Sequence, residues 1–224
     1  MVTIIIPVYN EEKTVVAVQN NIKKLQGNYE VIFSDGFSTD NTYNLIEYKK
    51  IRETKLRSNQ MNAAVKYAQG EYLWFIHADS ILHKNSIYAI ENSDAEAGCF
   101  KLKFDSQNII MIITAFLSTL RVKIRKIIFG DQGFFIRKST FIKLGGFPSV
   151  PIMEDYKLSL HLKKENINVK VLNLPIITSA RRFKKNGIIK TIIKMQILQH
   201  QFRKGKNIYD IYNSYENIRT GENK

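Results

Sequence analysis

Residues 2–12 of the chain read VTIIIPVYNEE, a nearly unbroken apolar run that changes abruptly into polar residues. Such a run is typical of a strand that is buried on both faces. Asn10 then offers a helix N-cap, and Glu11 and Glu12 follow in the first turn, where the helix dipole favours acidic side chains. We therefore predict a strand that is followed directly by a helix reaching about Leu25.

The same alternation continues through the first hundred residues. We predict further strands at 30–34 and 72–76, and helices at about 38–50 and 58–69. Strands that alternate with helices are usually parallel and are joined by right-handed crossovers. The pattern therefore predicts an α/β fold, with a Rossmann-like, mostly parallel central sheet flanked by helices.

The second half of the chain is more mixed. We predict strands at 97–104, 130–136, 169–172 and 176–180, and helices at 108–129, 154–164, 187–204 and 207–217. The sequence shows no internal repeat, low-complexity linker or change of composition between the halves. We therefore predict one domain covering 1–224, with two halves that meet near residue 105.

The chain carries 34 lysine and arginine residues against 20 acidic residues, a net charge of +14. An excess of this size indicates an anionic substrate, a nucleic acid or an acidic membrane surface as a partner. Nucleic acid is the least favoured of the three, because the sequence has no zinc-ligand spacing, RRM-like signature or helix-turn-helix pattern. The single cysteine, Cys99, excludes an internal disulfide, and its apolar neighbours predict a buried structural thiol.

Membrane contact is a hypothesis for residues 108–129, where an apolar helical stretch ends in several basic residues. The alternative is a helix that packs its apolar face on the core and leaves a basic face in water. The apolar part is too short to span a bilayer, and the N-terminus has neither a basic leader nor a cleavage site. We expect a cytoplasmic protein, with peripheral membrane contact left open.

Polar segments follow three of the predicted strands: PVYNEE, SDGFSTD and HADS. Open α/β sheets bind ligands at the carboxyl ends of their strands, so these segments are expected to meet at one edge. There, Asp35 and Asp79 offer the oxygen ligands that Mg²⁺ or Mn²⁺ prefers. The alternative for each aspartate is a cap on a loop or helix, and for His77 it is a hydrogen-bonded histidine of the core.

A Gly-rich phosphate loop is missing, since neither G-x-G-x-x-G nor GxxxxGK[ST] occurs. A bound nucleotide diphosphate would therefore need a metal ion and basic side chains to balance its charge. Arg57, Arg181 and Arg182 are the candidates, because the planar fork of arginine pairs with two phosphate oxygens at once.

Six sequence motifs follow one another along the chain in this order: IIPVYNEE, SDGFSTDNT, RSNQMNAA, FIHADS, GDQGFFIRKSTFIKLGGF and MEDYKLSLHL. Together they resemble the family-2 glycosyltransferases of the GT-A fold, from residue 3 to about residue 183. The resemblance is greatest to a small bacterial branch with HAD, GDQG, MED and SARR motifs. It implies a nucleotide-sugar half at about 1–105 and an acceptor half with C-terminal helices at about 106–224.

The resemblance also implies donor-binding roles, residue by residue. Pro7, Tyr9 and Glu11 match positions that hold the nucleoside, with Tyr9 against the base. Asp35 matches a contact to the base or ribose. Two further pairs match donor-binding positions: Arg57 with Asn62 before the metal strand, and Arg181 with Arg182 over the diphosphate.

The resemblance implies a role in the reaction itself for two carboxylates, one as a metal ligand and one as a base. Asp79 matches the last acid of the family's metal motif, Asp-x-Asp, and is expected to bind a divalent cation, Mg²⁺ or Mn²⁺. Asp155 matches the catalytic base. Substrate binding is expected for three neighbouring residues as well: Asp131, Gln132 and Glu154.

Two departures from the family pattern refine these expectations. His77 replaces the first acid of Asp-x-Asp, and a neutral imidazole can either ligate Mn²⁺ or support the loop. The Q-x-x-R-W motif of processive synthases is absent. We therefore predict a metal-dependent, inverting transfer of a single sugar from a nucleotide-diphosphate donor to an acceptor hydroxyl. The alternatives are a nucleotidyltransferase and a non-catalytic basic protein that binds nucleic acid or an anionic membrane.

Overall fold

One sheet of seven strands organises the computed structural model, which describes residues 1–220. The last four residues of the predicted 1–224 domain lie outside the described residues. In chain order the strands are β1 (Val2–Val8), β2 (Tyr29–Asp35), β3 (Lys49–Arg52), β4 (Tyr72–Phe75), β5 (Ala97–Phe104), β6 (Phe135–Arg137) and β7 (Val169–Thr178). Their order across the sheet is β3-β2-β1-β4-β6-β5-β7.

Ten α-helices connect or flank the described strands. They are α1 (Val15–Ile22), α2 (Thr42–Leu45), α3 (Arg57–Val65), α4 (Ser86–Glu91), α5 (Ile109–Arg125), α6 (Lys138–Lys143), α7 (Glu154–Lys164), α8 (Arg181–Asn186), α9 (Ile188–Arg203) and α10 (Ile208–Thr220). A 3-10 turn, Gly130–Gln132, precedes β6. None of the helices in the described part of the chain is long and apolar enough to cross a membrane.

The sheet is mostly parallel, as predicted. β1 pairs in parallel with β2 and β4, and β2 with β3, while β7 runs parallel to β5. The short strand β6 runs antiparallel to both of its neighbours, β4 and β5. It therefore joins two groups of parallel strands, one from each half of the chain.

Helices cover both faces of the sheet, which explains why β1 is apolar almost throughout. Ile4 and Ile6 face a core that includes residues of α1 and α4. Ile5 faces the opposite core, which includes residues of α3, α5 and α7. Because neither face meets water, the alternation of polar and apolar residues that marks a one-sided sheet does not arise. Cys99 on β5 is fully buried, as predicted, and burial raises the pKa of its thiol well above the ordinary value.

A third, smaller core holds the C-terminal helices against the rest of the molecule. Leu198 of α9 and Ile211 of α10 pack with Ile127, Met153 and Tyr156. The segments around 127–130 and 153–156 therefore lie between the sheet and the C-terminal helices. This packing fixes two backbone segments that matter for the site described below.

The predicted helix at 38–50 is wrong. Only Thr42–Leu45 is helical there, and Lys49–Arg52 forms strand β3, paired in parallel with β2 at the edge of the sheet. The sequence KKIR gives no strand signal because an edge strand buries few side chains, and charged residues at an edge discourage pairing with other chains.

The strands predicted at 169–172 and 176–180 are one strand, β7. Its pairing with β5 shifts register between Phe100 and Lys101, where two residues of β7 bulge out of the ladder. The first helix begins at Val15 with Thr14 as its N-cap residue, and Asn10 has a positive φ of 53° rather than the extended backbone that is usual for an N-cap. Helices α4, α6 and α8 were not predicted; each has only six residues.

The buried aromatic ring of Phe75 is expected to stabilise this fold, and its contribution can be measured. It is 3% exposed and contacts Phe134, Phe141 and Phe147, with ring centroids 6.1, 5.4 and 4.9 Å away. We expect Phe75→Ala to lower the free energy of unfolding by about 3–5 kcal/mol, measured by urea denaturation. Ile142→Ala, at a side chain 61% exposed on α6, is the control and should change stability by less than about 0.5 kcal/mol. Equal effects of the two variants would contradict this account.

Candidate active site

The three polar segments meet at one edge of the sheet, as the sequence predicts. Val8 and Asp35 are partners in the register of β1 with β2, so the residues that follow each strand leave the sheet side by side. β4 lies on the other side of β1 and ends at Phe75, two residues before His77. Backbone and side-chain bonds join the first two segments: Ser38 Oγ accepts from the Asn10 backbone N–H at 2.9 Å.

Asp35 is completely buried at the end of β2. Its carboxylate accepts from the backbone N–H and the hydroxyl of Ser38, and it lies 3.7 Å from Arg52 Nε. These contacts are those of a carboxylate that shapes the 35–38 turn, which was the alternative at the sequence level. Contact with a base or ribose stays a prediction for Asp35.

Aromatic and basic side chains surround this turn. Tyr9 is half-buried, and Lys55 Nζ lies 3.9 Å from its ring centroid. Phe37 is 53% exposed and has a φ of 59°, a left-handed conformation that a side chain of this size seldom adopts. Sequence reasoning missed Phe37 and Lys55. The available signal was a bulky aromatic in the turn SDGFSTD, where small residues are the usual choice.

Two other residues predicted to hold the nucleoside lie beside β1. Pro7 is half-buried within the strand, opposite Ser34 of β2. Glu11 accepts from the Thr14 hydroxyl at 2.7 Å, and its carboxylate lies 3.8 Å from Arg181 Nη2. The structure therefore brings Glu11 together with Arg181, one of the three arginines predicted to bind phosphate.

An ion-pair cluster forms the centre of the site. Arg57, at the start of α3, places Nε 2.7 Å and Nη2 2.5 Å from Glu154 Oε1. Its Nη2 is also 3.6 Å from Asp155 Oδ2, and its Nη1 is 3.2 Å from His77 Nε2. These four residues were predicted from three separate segments, and the fold brings them together. Glu154 is buried and directed at Arg57, and substrate binding stays a prediction for it.

Local backbone geometry positions the two acids. Met153 has a φ of 64° immediately before α7, so the chain turns sharply and places Glu154 and Asp155 in the first turn of that helix. Gly130 approaches the cluster closely, and its backbone N–H donates to Asp155 Oδ2 at 2.7 Å. A Cβ at position 130 would lie 2.9 Å from His77 Nε2 and 3.2 Å from Arg57 Nη2, so a larger residue there would displace the ends of both side chains.

The Asp155 carboxyl is the most strongly perturbed acid of this cluster. Burial, and then repulsion from Glu154, raises its pKa to about 7, while Arg57 and the Gly130 N–H oppose the shift. A carboxyl with a pKa near neutrality gives up and takes up protons readily at physiological pH, which is the property of a general acid or base.

A second polar cluster lies beneath the first. Arg121 Nη2 donates to Gln132 Oε1 at 2.8 Å, and its guanidinium lies 4.2 Å from the Phe129 ring centroid. Asp131 Oδ1 is buried and accepts no hydrogen bond from the described residues. Burial raises the Asp131 pKa, and Arg121 and Arg57 counteract the shift. Sequence reasoning grouped Arg121 with a basic helix face and missed its inward direction, because the covalent sequence does not show which side of α5 meets the core.

The remaining predicted donor contacts are placed less centrally. The Asn62 side chain both donates to and accepts from the Phe147 backbone, at 2.8 and 3.0 Å, so its amide fastens α3 to the 145–147 loop. Arg181 and Arg182 begin α8. Arg182 Nη1 donates to the Tyr215 hydroxyl at 2.9 Å, whereas the side chain of Arg181 is 61% exposed. Donor binding stays a prediction for all three.

The metal prediction can be tested against the ligands available. Asp79, half-buried after β4, makes no hydrogen bond or ion pair to its carboxylate among the described residues. No group of three or more His, Cys, Asp or Glu side chains in that part of the chain could hold a metal ion. A site with Asp79 as its protein ligand fits a cation that takes most of its ligands from a diphosphate and water, as Mg²⁺ commonly does. Arg57 lies against His77 Nε2, which favours the loop-supporting alternative for His77.

The chain is similar in sequence to known glycosyltransferases. Residues 3–98 match the family model described as glycosyl transferase family 2. The chain is 27% identical over 205 residues to UDP-Glc:alpha-D-GlcNAc-diphosphoundecaprenol beta-1,3-glucosyltransferase WfgD of Escherichia coli, covering 84% of this chain and 79% of WfgD. It is 29% identical over 98 residues to poly(ribitol-phosphate) beta-N-acetylglucosaminyltransferase TarS of Staphylococcus aureus, covering 38% of this chain and 17% of TarS.

Solved structures share the fold at low sequence identity. TarS residues 1–349 in complex with UDP superpose with a TM-score of 0.64 at 21% identity, covering 80% of this chain and 60% of that one. The mannosyltransferase PcManGT of Pyrobaculum calidifontis, in complex with GDP-Man and Mn²⁺, gives a TM-score of 0.65 at 18% identity, covering 97% of this chain and 69% of that one. The chain thus spans most of WfgD but less than two thirds of TarS.

The Arg57–Glu154 pair provides a test of the site's construction. We expect Glu154→Ala to lower the free energy of unfolding by about 1.5–3 kcal/mol in chemical denaturation, because the guanidinium loses its charged acceptor. The matched control is Glu165→Ala at the exposed end of α7, which should change stability by less than about 0.5 kcal/mol. A Glu154 variant as stable as the control would show that the pair does not hold the two segments together.

Proposed function

Since the chain is a family-2 glycosyltransferase with the GT-A fold, we propose that it transfers a single sugar from a nucleotide-diphosphate donor to an acceptor hydroxyl, with inversion. The observation that carries this proposal is Asp155, a buried carboxyl with a pKa near neutrality, beside Arg57. Family membership decides against the nucleotidyltransferase alternative.

The donor half supplies the binding groups. Tyr9, Asp35 and the exposed ring of Phe37 lie together at the ends of β1 and β2, and we assign the nucleoside to this corner. Relatives and structural neighbours support a nucleotide-sugar donor, because WfgD uses UDP-Glc and TarS has been solved with UDP and UDP-GlcNAc. PcManGT was solved with GDP-Man, so both uridine and guanosine donors should be tested.

Asp155 would act as the general base. Its carboxylate takes the proton of the acceptor hydroxyl as that oxygen attacks the anomeric carbon, while the bond from this carbon to the diphosphate breaks. The Gly130 and Tyr156 backbone N–H groups, both 2.7 Å from the carboxylate, fix its orientation. General base catalysis of this kind typically contributes about 10²–10⁴-fold. One base and one displacement predict inversion at the anomeric carbon.

Charge on the departing diphosphate needs neutralisation. Asp79 is the residue that would hold a divalent cation, which when bound supplies charge stabilisation to the diphosphate. Arg181, which is exposed and near Glu11, can pair with a phosphate through its guanidinium fork. Arg182 contributes positive charge from the first turn of α8.

The acceptor is proposed as a sugar hydroxyl. WfgD acts on alpha-D-GlcNAc-diphosphoundecaprenol, a sugar carried on a lipid diphosphate. Because this chain spans 79% of WfgD, acceptors of that class are the first to test.

The role of Asp155 predicts a pH dependence. The base must be deprotonated to act, so kcat/KM should rise with pH through about 7, where its raised pKa lies, and level off above it. We expect Asp155→Asn to keep donor binding, measured by calorimetry, and to lose turnover by at least about 10²-fold. Full turnover in this variant, or a profile flat from acid to neutral pH, would exclude Asp155 as the base.

Asp79 predicts a metal dependence of donor binding. We expect calorimetry to show UDP or GDP binding that strengthens when Mn²⁺ or Mg²⁺ is added, and Asp79→Ala to abolish that increase. Asp94→Ala is the control carboxylate, because its side chain is 93% exposed and pairs with Arg137, the strand partner of Tyr72 at the opposite end of β4. Metal-enhanced binding that survives in Asp79→Ala would remove the metal role.

A further inference from the structure

Helix α5 exposes an apolar face that the proposed reaction does not use. One side of the helix packs on the core through Met111, Ala115, Thr119 and Val122. The other side carries large apolar side chains in water: Ile109 (65% exposed), Ile112 (52%), Ile113 (50%), Phe116 (64%), Leu117 (54%) and Ile124 (70%). We call these six residues the α5 stripe.

The α5 stripe is continuous. Its members recur at intervals of three and four residues, so they fall on one side of a helix that is about 25 Å long at 1.5 Å per residue. The half-buried Leu120 fills the gap before Ile124. Single exposed apolar residues are ordinary, but contiguous exposed patches of this kind mark a surface that binds a partner.

The stripe is held in place at both ends and in the middle. Asn108 caps the helix by accepting from the Ile110 N–H at 2.9 Å, and Lys126 ends it in a left-handed conformation. Thr119 Oγ1 accepts from the Leu102 backbone N–H at 3.2 Å, which ties the helix to β5. The exposed side chains therefore sit on a fixed surface rather than on a fraying segment.

An exposed apolar face could bind a second copy of the chain or a lipid bilayer, and the charge of α5 decides between these two. The last turn of α5 carries Lys123 and Arg125, and Lys126 follows at once. A second copy of the chain would bring the same cations, and the same net charge of +14, against this surface. An anionic bilayer offers acyl chains for the stripe and phosphate groups for the cations, and each basic residue near such a surface is attracted to it.

We propose that α5 docks on an anionic lipid bilayer, lying in the headgroup region with the α5 stripe against the acyl chains and Lys123, Arg125 and Lys126 on lipid phosphates. The alternative from the sequence was a helix with an apolar buried face and a basic exposed face, whereas the exposed side of α5 carries mostly apolar side chains.

The docked helix is directly connected to the active site. The chain leaves α5 at Lys126 and within four residues reaches Gly130, whose N–H binds Asp155. On its inner side, Arg121 of the same helix binds Gln132. Docking would therefore hold the base near the bilayer surface. The docking proposal stands apart from the proposed sugar transfer, since it rests on the exposure and charge of α5 alone.

Co-sedimentation of the full chain with lipid vesicles tests the proposal, with no sugar nucleotide present. We expect binding to vesicles of phosphatidylglycerol mixed with phosphatidylcholine, weakened by salt, and much less binding to phosphatidylcholine alone. The double variant Ile113→Ser with Phe116→Ser should reduce the partition coefficient by about tenfold or more. Lys123→Glu with Arg125→Glu should reduce binding to the anionic vesicles specifically.

Controls separate docking from misfolding and from self-association. Ile142→Ser removes an equally exposed isoleucine from α6 and should bind vesicles like the wild type. All variants should unfold at the wild-type temperature, because the changed side chains lie in water. Unchanged partition of the stripe variant would overturn the proposal. So would a wild-type dimer in light scattering that the stripe variant dissociates, with no vesicle binding by either protein.

Discussion

The ion pair between Arg57 and Glu154 joins two residues that are 97 positions apart in the chain. Arg57 begins α3 in the N-terminal half of the chain, and Glu154 begins α7 in the C-terminal half. A buried carboxylate is costly unless a cation and hydrogen bonds satisfy it, so this contact constrains how the halves can meet. Three other residues of the ion-pair cluster lie around it. His77 and Asp155 lie beside the same guanidinium, and a Cβ at Gly130 would meet the ends of the His77 and Arg57 side chains.

The pair also places the two neighbouring acids in different environments. Glu154 is fully engaged by Arg57, whereas Asp155 lies farther from the guanidinium and is held by backbone N–H groups. The negative charge of Glu154 then adds to burial in raising the pKa of Asp155. One carboxylate is therefore held in an ion pair, and the adjacent one has a pKa near neutrality, as the proposed general base requires.

Much of the fold follows from local sequence because buried strands carry a strong signal. β1, β4 and β5 were predicted nearly to the residue, since strands covered on both faces must be apolar. β3 was missed because the run KKIR lies at an edge, where pairing rather than burial makes the strand. The two strands predicted in place of β7 reflect a bulge, which interrupts the apolar pattern without ending the pairing.

The site was predictable to a similar degree and for related reasons. Ordered motifs pointed to Arg57, His77, Glu154 and Asp155, and the fold assembles all four. The motifs do not indicate which residue each side chain contacts in the folded protein. Asn62 fastens a loop and Arg121 turns inward, and these directions depend on tertiary packing that no short segment encodes. Phe37 escaped notice because its positive φ is a property of the folded turn.

The buried thiol of Cys99 has a practical consequence. It is the only cysteine of the chain, and it is fully enclosed with a pKa well above the ordinary value. A thiol in that state has almost no thiolate at neutral pH and reacts slowly with maleimides or disulfide reagents. Any cysteine introduced on the surface would therefore be the one that takes a fluorophore or spin label, without first removing the native thiol. The wild-type core thus makes this chain well suited to site-specific spectroscopy.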